Sequence, residues 1–239
     1  MGMPSRIRIP GASASDLLER VFAEFERIDS IFSTYKTESE ISRINRGEIP
    51  EAAWSDDMRE IFALAEATKE ETNGYFDIRT PEGVVDPSGL VKGWALARAA
   101  RILHDAGVAD FYIEIAGDIQ TSGTDGGTPW SLGIRNPFAH SEIVKVVYPK
   151  GRGVATSGNY LRGAHIYNPH ESTEAPASLA SLTVVGPDIY EADRFATAAY
   201  AMGLDGLAFL EQREGFEAYG ITAGGRAYFT SGFESLSCV

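Results

Sequence analysis

The segment Asp86-Pro87-Ser88-Gly89-Leu90-Val91-Lys92-Gly93-Trp94-Ala95 places a lysine near the start of a predicted helix. Ser88 is a favourable N-cap residue, so the pattern predicts a helix that runs to Gly107, with Lys92 in or just after its first turn. The positive end of a helix dipole disfavours a cation there by roughly 0.3 to 1 kcal/mol. Free backbone N–H groups and a lysine would together bind a phosphate, which predicts an anionic ligand. The alternatives are that Lys92 points to water or pairs with Asp86.

The composition indicates a globular protein and limits its partners. The 239 residues are 44% hydrophobic and carry a net charge of −13. Such a chain can bury a substantial core, but it is poorly suited to bind nucleic acid or an anionic membrane electrostatically, and we expect neither as a partner. An acidic protein that binds a phosphate-bearing ligand needs local lysines or arginines, or a divalent metal.

The single cysteine, Cys238, excludes a disulfide framework and a cysteine-based zinc site. The sequence has no apolar segment long enough for a signal peptide or a membrane span. We therefore expect a cytoplasmic protein that does not insert into a membrane.

Helical and strand patterns alternate along the chain. Apolar spacing and capping residues predict helices over residues 16–32, 55–73 and 88–107, and another from Asp188 onward. Period-two alternation predicts strands at residues 6–10, 111–116, 130–136, 143–149, 181–186, 216–222 and 227–230. The glycine-rich residues 118–129 are expected to form a loop between antiparallel strands. This mixture predicts an α+β fold, and the lack of a linker or repeat predicts one domain over residues 1–239.

The helix that starts at Asp188 carries two oxygen-bearing side chains on one face. Asp188 and Glu191 have the spacing of a capping box, which defines the helix start. Asp193 and Thr197 are one turn apart, and a carboxylate with a hydroxyl suits Mg²⁺ or Ca²⁺ rather than zinc. Alternatively, Thr197 bonds the carbonyl one turn back and Asp193 pairs with Arg194 or with solvent.

A small polar segment, Ala155-Thr156-Ser157-Gly158-Asn159-Tyr160, precedes His165-Ile166-Tyr167-Asn168-Pro169. A histidine beside a polar loop is a natural proton carrier, although a lone histidine is more often structural. Ser157 is a weaker candidate for a nucleophile. Its surroundings do not match the Gly-x-Ser-x-Gly elbow, and no carboxylate is recognisably paired with the histidine.

Taken in order, these segments resemble the motifs of the FAD:protein FMN transferase family, the ApbE-like flavin transferases, over nearly the whole chain. The N-terminal part is similar to that family's flavin-side signature and Gly-x-Phe-Asp element, at Phe32-Ser33-Thr34-Tyr35, Ser39-Glu40-Ile41-Ser42-Arg43-Ile44-Asn45 and Gly74-Tyr75-Phe76-Asp77. The rest resembles its Gly-x-Lys-Gly, Gly-Gly-Asp, Thr-Ser-Gly, His-Ile-x-Asp-Pro and Ala-Asp-x-x-x-Thr-Ala elements, at residues 87–95, 116–118, 155–158, 165–169 and 192–198.

The resemblance implies an ApbE-like fold with mixed helices, largely antiparallel sheets and a flavin site between two joined halves. It also implies a reaction in which FAD binds with Mg²⁺, a Thr or Ser hydroxyl of a partner flavoprotein attacks the FMN phosphorus, and AMP leaves. His165 would assist proton transfer, and Lys92 would supply a fixed positive charge. The carbonyl of Gly89 and the side chains of Asp193 and Thr197 would bind the metal. The implied contacts to the flavin nucleotide are Ser33, Thr34, Tyr35, Asn45, Asp77, Lys92, Gly117, Asp118, Thr156, Ser157, Gly158 and His165.

Several positions depart from the family pattern. Asn168 replaces an aspartate, Leu161 stands where glutamate is frequent, Ala116 replaces a glycine, Arg79 stands where threonine is usual, and His170 begins a stretch that lacks the usual Thr-Gly. These changes put the transfer step in doubt more than the FAD and metal sites. Two alternatives are therefore hydrolysis of FAD to FMN and AMP, and a non-catalytic flavin-binding or delivery protein. The family's acceptor pattern, Ser/Thr-Gly-Ala followed by Ser/Thr, is absent from the sequence, so we expect modification in trans.

Overall fold

A seven-stranded antiparallel sheet organises the protein in the computed structural model, which describes residues 3–11, 15–158, 166–170, 173–174 and 178–237. In spatial order its strands are β1 (Ser5–Arg8), β2 (Phe111–Ile115), β3 (Asp118–Ser122), β8 (Gly153–Gly158), β11 (Leu179–Gly186), β12 (Glu217–Thr222) and β13 (Ala227–Phe229). Three antiparallel pairs accompany it: β4 (Thr124–Asp125) with β5 (Thr128–Pro129), β6 (Leu132–Asn136) with β7 (Ala139–Val147), and β9 (Tyr167–Asn168) with β10 (Thr173–Glu174).

The described residues also form six α-helices. They are α1 (Ser15–Phe32), α2 (Glu40–Asn45), α3 (Asp56–Glu71), α4 (Ser88–Asp105), α5 (Ile189–Ala201) and α6 (Asp205–Glu211), with short 3₁₀ helices at Glu51–Ala53 and Phe233–Leu236. None of these helices is long and apolar enough to cross a membrane. The predicted α+β class is therefore confirmed, with helices and antiparallel strands mixed along the chain.

The seven-stranded sheet separates two hydrophobic cores. Val184 and Val185 are consecutive on β11 but belong to different cores, because neighbouring strand residues point to opposite faces. The larger core lies between one face and the helices, and the smaller one lies beneath the β6–β7 hairpin. Helix α5 packs on β8, on β11 and on α4. The start of α4 and one face of α5 are therefore held next to each other against the middle of the sheet.

The start of α4 differs from the prediction in its cap. Ser88 is the first residue of the helix, and Pro87 holds the N-cap position without a side-chain cap. The carboxylate of Asp86 accepts a hydrogen bond from the Ser88 backbone N–H at 3.0 Å and so performs the capping role assigned to Ser88. Lys92 consequently lies in the second turn.

Two strands of the central sheet were not predicted. Residues 118–129 were expected to form a loop, but β3 occupies the first five of them, and the glycines begin only at Gly123. The segment Thr156-Ser157-Gly158, expected in a polar loop, belongs to β8 between β3 and β11. Small residues there permit close packing of α5. Because serine and glycine are not the β-branched or aromatic residues typical of strands, the sequence pattern does not reveal β8.

Gly153, at the start of β8, lies directly against the N-terminus of α5. A Cβ atom added there would be 2.1 Å from the Ile189 nitrogen and 2.2 Å from the Asp188 carbonyl carbon. Since backbone atoms cannot move aside cheaply, Gly153→Ala should lower the free energy of unfolding by roughly 3 kcal/mol, which urea denaturation would measure.

Gly224→Ala is the matched control for this prediction. Gly224 is exposed, and the nearest atom to its Cβ position is Thr222 Oγ1 at 3.9 Å. We expect a change within about 0.5 kcal/mol for the control. Equal stability of the two variants would contradict the close approach of β8 and α5.

Candidate functional site

A cleft of about 1080 Å³, including its open mouth, lies between the start of α4, the end of β8 and the facing side of α5. Its lining residues are Tyr75, Phe76, Asp77, Thr80, Asp86, Ser88, Gly89, Lys92, Ala116, Thr156, Ser157, Gly158, Ile166, Tyr167, Pro169, Asp193 and Thr197. This lining combines a lysine, carboxylates and hydroxyls with aromatic rings. The cleft therefore suits a ligand that has both an anionic group and an aromatic ring system.

Helices α4 and α5 come into close contact at Gly93 and Asp193. The Gly93 backbone N–H donates a hydrogen bond to Asp193 Oδ2 at 2.7 Å. A Cβ atom on residue 93 would be 2.7 Å from Asp193 Cβ and 2.8 Å from the Ile189 carbonyl oxygen. Only glycine permits this approach, so Gly93 determines where the Asp193 carboxylate lies.

The same pair of helices brings Gly89 next to Thr197. Thr197 Oγ1 donates to the Gly89 carbonyl oxygen at 3.4 Å. In a regular α-helix that carbonyl accepts from the N–H four residues on, which is Gly93. The hydrogen bond from the Gly93 N–H to Asp193 competes for this donor, so the Gly89 carbonyl keeps acceptor capacity for a cation.

Lys92 lines the cleft and pairs with two carboxylates. Its Nζ atom lies 2.5 Å from Asp118 Oδ2 and 3.6 Å from Asp193 Oδ1, and its side chain is mostly buried. The alternatives raised by the sequence, exposure to water or a pair with Asp86, are therefore not what the structure shows. Instead, the ammonium group is fixed at the point where α4, α5 and the β2–β3 turn meet.

Arg194 does not compensate the charge of Asp193. Its guanidinium group pairs with Glu191 at 2.7 Å and with Glu71 at 2.8 Å. At the helix start, Asp188 accepts a hydrogen bond from the Glu191 backbone N–H at 2.9 Å, as the capping spacing predicted. The Glu191 carboxylate is bound to Arg194, whose pair with Glu71 links α5 to the end of α3.

A tight turn between β2 and β3 directs Asp118 towards Lys92. Ala116 and Gly117 have φ values of 50° and 94°, the positive values that a two-residue hairpin turn requires. Asp118 Oδ1 accepts a hydrogen bond from the Thr156 backbone N–H at 3.1 Å, just beyond the point where β3 and β8 stop pairing. One oxygen of Asp118 therefore extends the sheet while the other meets the lysine.

Burial raises the pKa of Asp193 to about 7 and is the largest cause of the shift. Lys92 and the Gly93 N–H oppose the rise in this pKa, and the neighbouring Asp118 adds to it. The folded protein therefore disfavours the charged form of Asp193. A further cation beside this carboxylate would reverse that preference.

The predicted flavin contacts in the described part of the chain fall into two groups. Those in the cleft lining are Asp77, Lys92, Thr156, Ser157 and Gly158. Asp77 is held by Lys69 Nζ, 2.6 Å from Oδ2, and by the Arg79 backbone N–H, 2.8 Å from Oδ1. These residues come from three separate parts of the chain, and the fold brings them to one surface.

The other predicted flavin contacts among the described residues do not line the cleft. Tyr35 is 98% exposed, Thr34 is exposed, and Gly117 is exposed in its turn. The Ser33 carbonyl accepts a hydrogen bond from Ser39 Oγ at 2.7 Å. This contact closes the 33–39 segment into a compact turn.

Asn45 has a clear structural partner. Its side-chain amide donates to the Val85 carbonyl at 2.9 Å and accepts from the Val85 N–H at 2.8 Å. These two hydrogen bonds fix Val85, the residue before Asp86. The Asp86 side chain in turn caps α4. Asn45 therefore orders the approach to the helix that carries Lys92.

His165 and Leu161 lie outside the described residues. The sequence assigned no role to several residues that line the cleft, among them Tyr75, Thr80, Asp86, Ile166, Tyr167 and Pro169. Their sequence signal is only that they lie within or beside the motifs quoted above. Which of the neighbouring side chains faces the cleft is set by the fold.

The donor atoms of the predicted metal site suit a hard cation. Asp193, Thr197 and Gly89 offer carboxylate, hydroxyl and carbonyl oxygens. In the described part of the chain, no group of three or more His, Cys, Asp or Glu side chains is arranged to hold a metal. Magnesium in proteins is commonly bound by one or two carboxylates together with substrate phosphates. The residues present fit such a shared site.

Comparison with known sequences places the chain among flavin transferases. A family model described as "ApbE family" matches residues 1–84 and 79–220. An FAD:protein FMN transferase of Escherichia coli strain K12 is 24% identical over 296 residues, covering 96% of this chain and 84% of the relative. An FAD:protein FMN transferase of Vibrio cholerae is 30% identical over 145 residues, covering 56% of this chain and 43% of the relative.

Solved structures share the same fold. The flavin transferase ApbE from Vibrio cholerae matches with a TM-score of 0.85 at 23% identity, over 99% of this chain and 96% of that one. The ApbE protein from Thermotoga maritima matches with a TM-score of 0.85 at 21% identity, over 100% and 97% of the two chains. The ApbE-like fold that the sequence suggested is thus confirmed, and the family model, which covers most of the sequence, shows that the chain belongs to the ApbE family.

Proposed function

We propose that this protein is an FAD:protein FMN transferase. A Thr or Ser hydroxyl of an acceptor flavoprotein attacks the FMN phosphorus of FAD, a new P–O bond forms, and the bond to the AMP phosphate oxygen breaks to release AMP. The convergence of Lys92, Gly89, Asp193 and Thr197 on one cleft carries this proposal, because these groups suit a diphosphate and its metal ion. Membership of the ApbE family and the names of the relatives support it further.

We infer that Mg²⁺ is held by the Gly89 carbonyl, the Asp193 carboxylate and the Thr197 hydroxyl. When bound, the ion would neutralise charge on the diphosphate of FAD. Asp193 binds a metal only in its charged form, which the folded protein disfavours at and below neutral pH. Metal binding and the ionisation of Asp193 are therefore coupled.

Lys92 adds a fixed positive charge on the wall of the cleft. Its pairs with Asp118 and Asp193 hold the ammonium group in one place, so little side-chain freedom is lost when phosphate binds. His165 is proposed to move a proton at the acceptor hydroxyl or the leaving group, on the strength of its motif. The flavin contacts that we propose within the cleft are Asp77, Thr156, Ser157 and Gly158.

The partner would be a separate flavoprotein with a Thr or Ser modification site. The absence of the acceptor pattern from this sequence supports modification in trans. The net charge of −13 argues against nucleic acid as the partner. We propose that residues 1–239 act as one unit in this reaction.

The reaction is tested with the protein, FAD, Mg²⁺ and an acceptor polypeptide that carries Ser/Thr-Gly-Ala-Ser/Thr. We expect a fluorescent acceptor band and one AMP per modified acceptor. An acceptor with alanine in place of the modified hydroxyl residue is the control. Free FMN and AMP without labelled acceptor would instead assign FAD hydrolysis, and intact bound FAD would assign a flavin-binding protein.

Substitutions of Thr197 test whether its hydroxyl binds the metal or its side chain only packs against α4. Thr197→Ser keeps the hydroxyl oxygen, whereas Thr197→Val keeps the size and shape without it. We expect the valine variant to need at least about tenfold more Mg²⁺ for half-maximal transfer, and the serine variant to stay near wild type. Transfer that is insensitive to EDTA, or a fully active valine variant at limiting Mg²⁺, would rule out this metal site.

The buried carboxylate of Asp193 should lower the free energy of unfolding at neutral pH. Its pKa is about 7 in the folded protein and near 4 when unfolded, so between these values the folded state binds more protons and stability falls as pH rises. Asp193→Asn removes this dependence. Without metal, the variant should be more stable than wild type by on the order of 2 kcal/mol at pH 8, and this gain should shrink towards pH 4.

Chemical denaturation across this pH range measures the effect of Asp193→Asn. Glu26→Gln is the control, since Glu26 is an exposed carboxylate on α1 and should give little difference at any pH. The same Asp193→Asn protein should lack metal-dependent transfer. A variant that is less stable than wild type at pH 8 would show that the carboxylate is needed for folding rather than kept for binding.

A further inference from the structure

The hydroxyl of Tyr167 connects the 166–170 segment to the 77–79 segment at the cleft. Its hydroxyl oxygen lies 2.6 Å from the Arg79 carbonyl oxygen and 2.9 Å from the Asp77 carbonyl oxygen. Tyr167 and Asp77 both line the cleft. A phenol has one proton, so it is shared between the two carbonyls, with the shorter contact at Arg79. This bridge fixes the backbone on both sides of Ile78, which is buried.

The Tyr167 hydroxyl is suited to donate. Burial raises its pKa to about 12, and the nearby carboxylates of Asp77, Asp86 and Glu82 act in the same direction. The phenol therefore keeps its proton throughout the neutral range. Its role is to hold two carbonyls rather than to accept a proton in the reaction.

His170 makes a second link between the same two parts of the chain. Its Nε2 atom lies 2.9 Å from the Asn73 carbonyl oxygen, which requires the proton to be on Nε2. Its ring packs edge-on against Tyr75, with 4.4 Å between the ring centroids. Tyr75 lines the cleft. His170 thus ties the end of the 166–170 segment to the start of the 73–79 segment.

The residues between the two links form a fixed turn. Asn168 is buried, and its side-chain oxygen accepts a hydrogen bond from the His170 backbone N–H at 3.0 Å. Pro169 lies between them, lines the cleft and restricts its own backbone. The segment 166–170 is therefore held at both ends and stiffened in the middle.

We propose that Tyr167 and His170 are positioning residues, which fasten the segment directly after His165 to the wall that carries Asp77. This proposal rests on the proposed function. Neither residue is specified by the family pattern. Tyr167 occupies the variable position of the His-Ile-x-Asp-Pro element, and His170 stands where threonine is usual. The hydrogen bond from the His170 backbone N–H to the Asn168 side-chain oxygen adds to these two links in holding the segment.

The test uses the full chain with Tyr167→Phe, His170→Ala and His170→Gln. Phenylalanine keeps the ring of Tyr167 but removes the hydroxyl, and glutamine keeps an N–H donor in place of His170 Nε2. Tyr228→Phe and His104→Gln are the matched controls, because both side chains are partly or fully exposed and neither lines the cleft. Transfer kinetics, FAD affinity and thermal unfolding are measured for each variant.

We expect Tyr167→Phe and His170→Ala to lower kcat by about ten- to a hundredfold, with the KM for FAD changed by less than about twofold. His170→Gln should recover most of the rate, and the controls should match wild type. Hydrogen exchange without any ligand should become faster in both segments, 73–79 and 166–170, when either link is removed.

Several results would overturn the positioning role. One is normal transfer by wild type together with unchanged kcat in both link variants. Another is a loss of rate that follows a loss of melting temperature, or a rise in KM with kcat intact, because these mark a general structural role. A wild-type protein that binds FAD but never transfers FMN would overturn the proposed function, and with it the role of the links.

Discussion

The contact between Gly93 and Asp193 is the constraint on which the rest of the site depends. A hydrogen bond of 2.7 Å joins the two residues, and no side chain larger than hydrogen fits at position 93. Since helices are rigid over one turn, this single approach also sets Gly89 beside Thr197 and Lys92 beside Asp193. Four donor and charged groups are thereby placed by one packing contact rather than by four independent ones.

The charges around this contact are unbalanced. Two carboxylates, Asp118 and Asp193, share one lysine, and Asp193 has no ion pair with Arg194. A buried acid with a raised pKa is a cost to the folded state. Proteins accept such costs where a ligand compensates them. A cation bound as proposed beside Asp193 would offset this cost, because it would favour the charged form of the carboxylate.

The sequence predicted local features well and long-range ones poorly. The four predicted helices, the Asp188 cap and the shared face of Asp193 and Thr197 depend on spacing within a few residues, and the structure contains all of them, whereas the short helices α2 and α6 were not predicted. Lys92 finds its partners on β3 and α5, which no local pattern specifies. β8 was not predicted, because its small residues allow α5 to pack closely and have little strand propensity of their own.

The strained backbone of the β2–β3 turn positions the carboxylate of Asp118. Ala116 adopts a φ of 50°, which costs a residue other than glycine about 1 to 2 kcal/mol. The turn is kept because a two-residue loop leaves Asp118 at the first position of β3, where one oxygen caps Thr156 and the other reaches Lys92. A looser turn would free the backbone but release this carboxylate. Local strain and buried charge are thus two consequences of holding one lysine in one place.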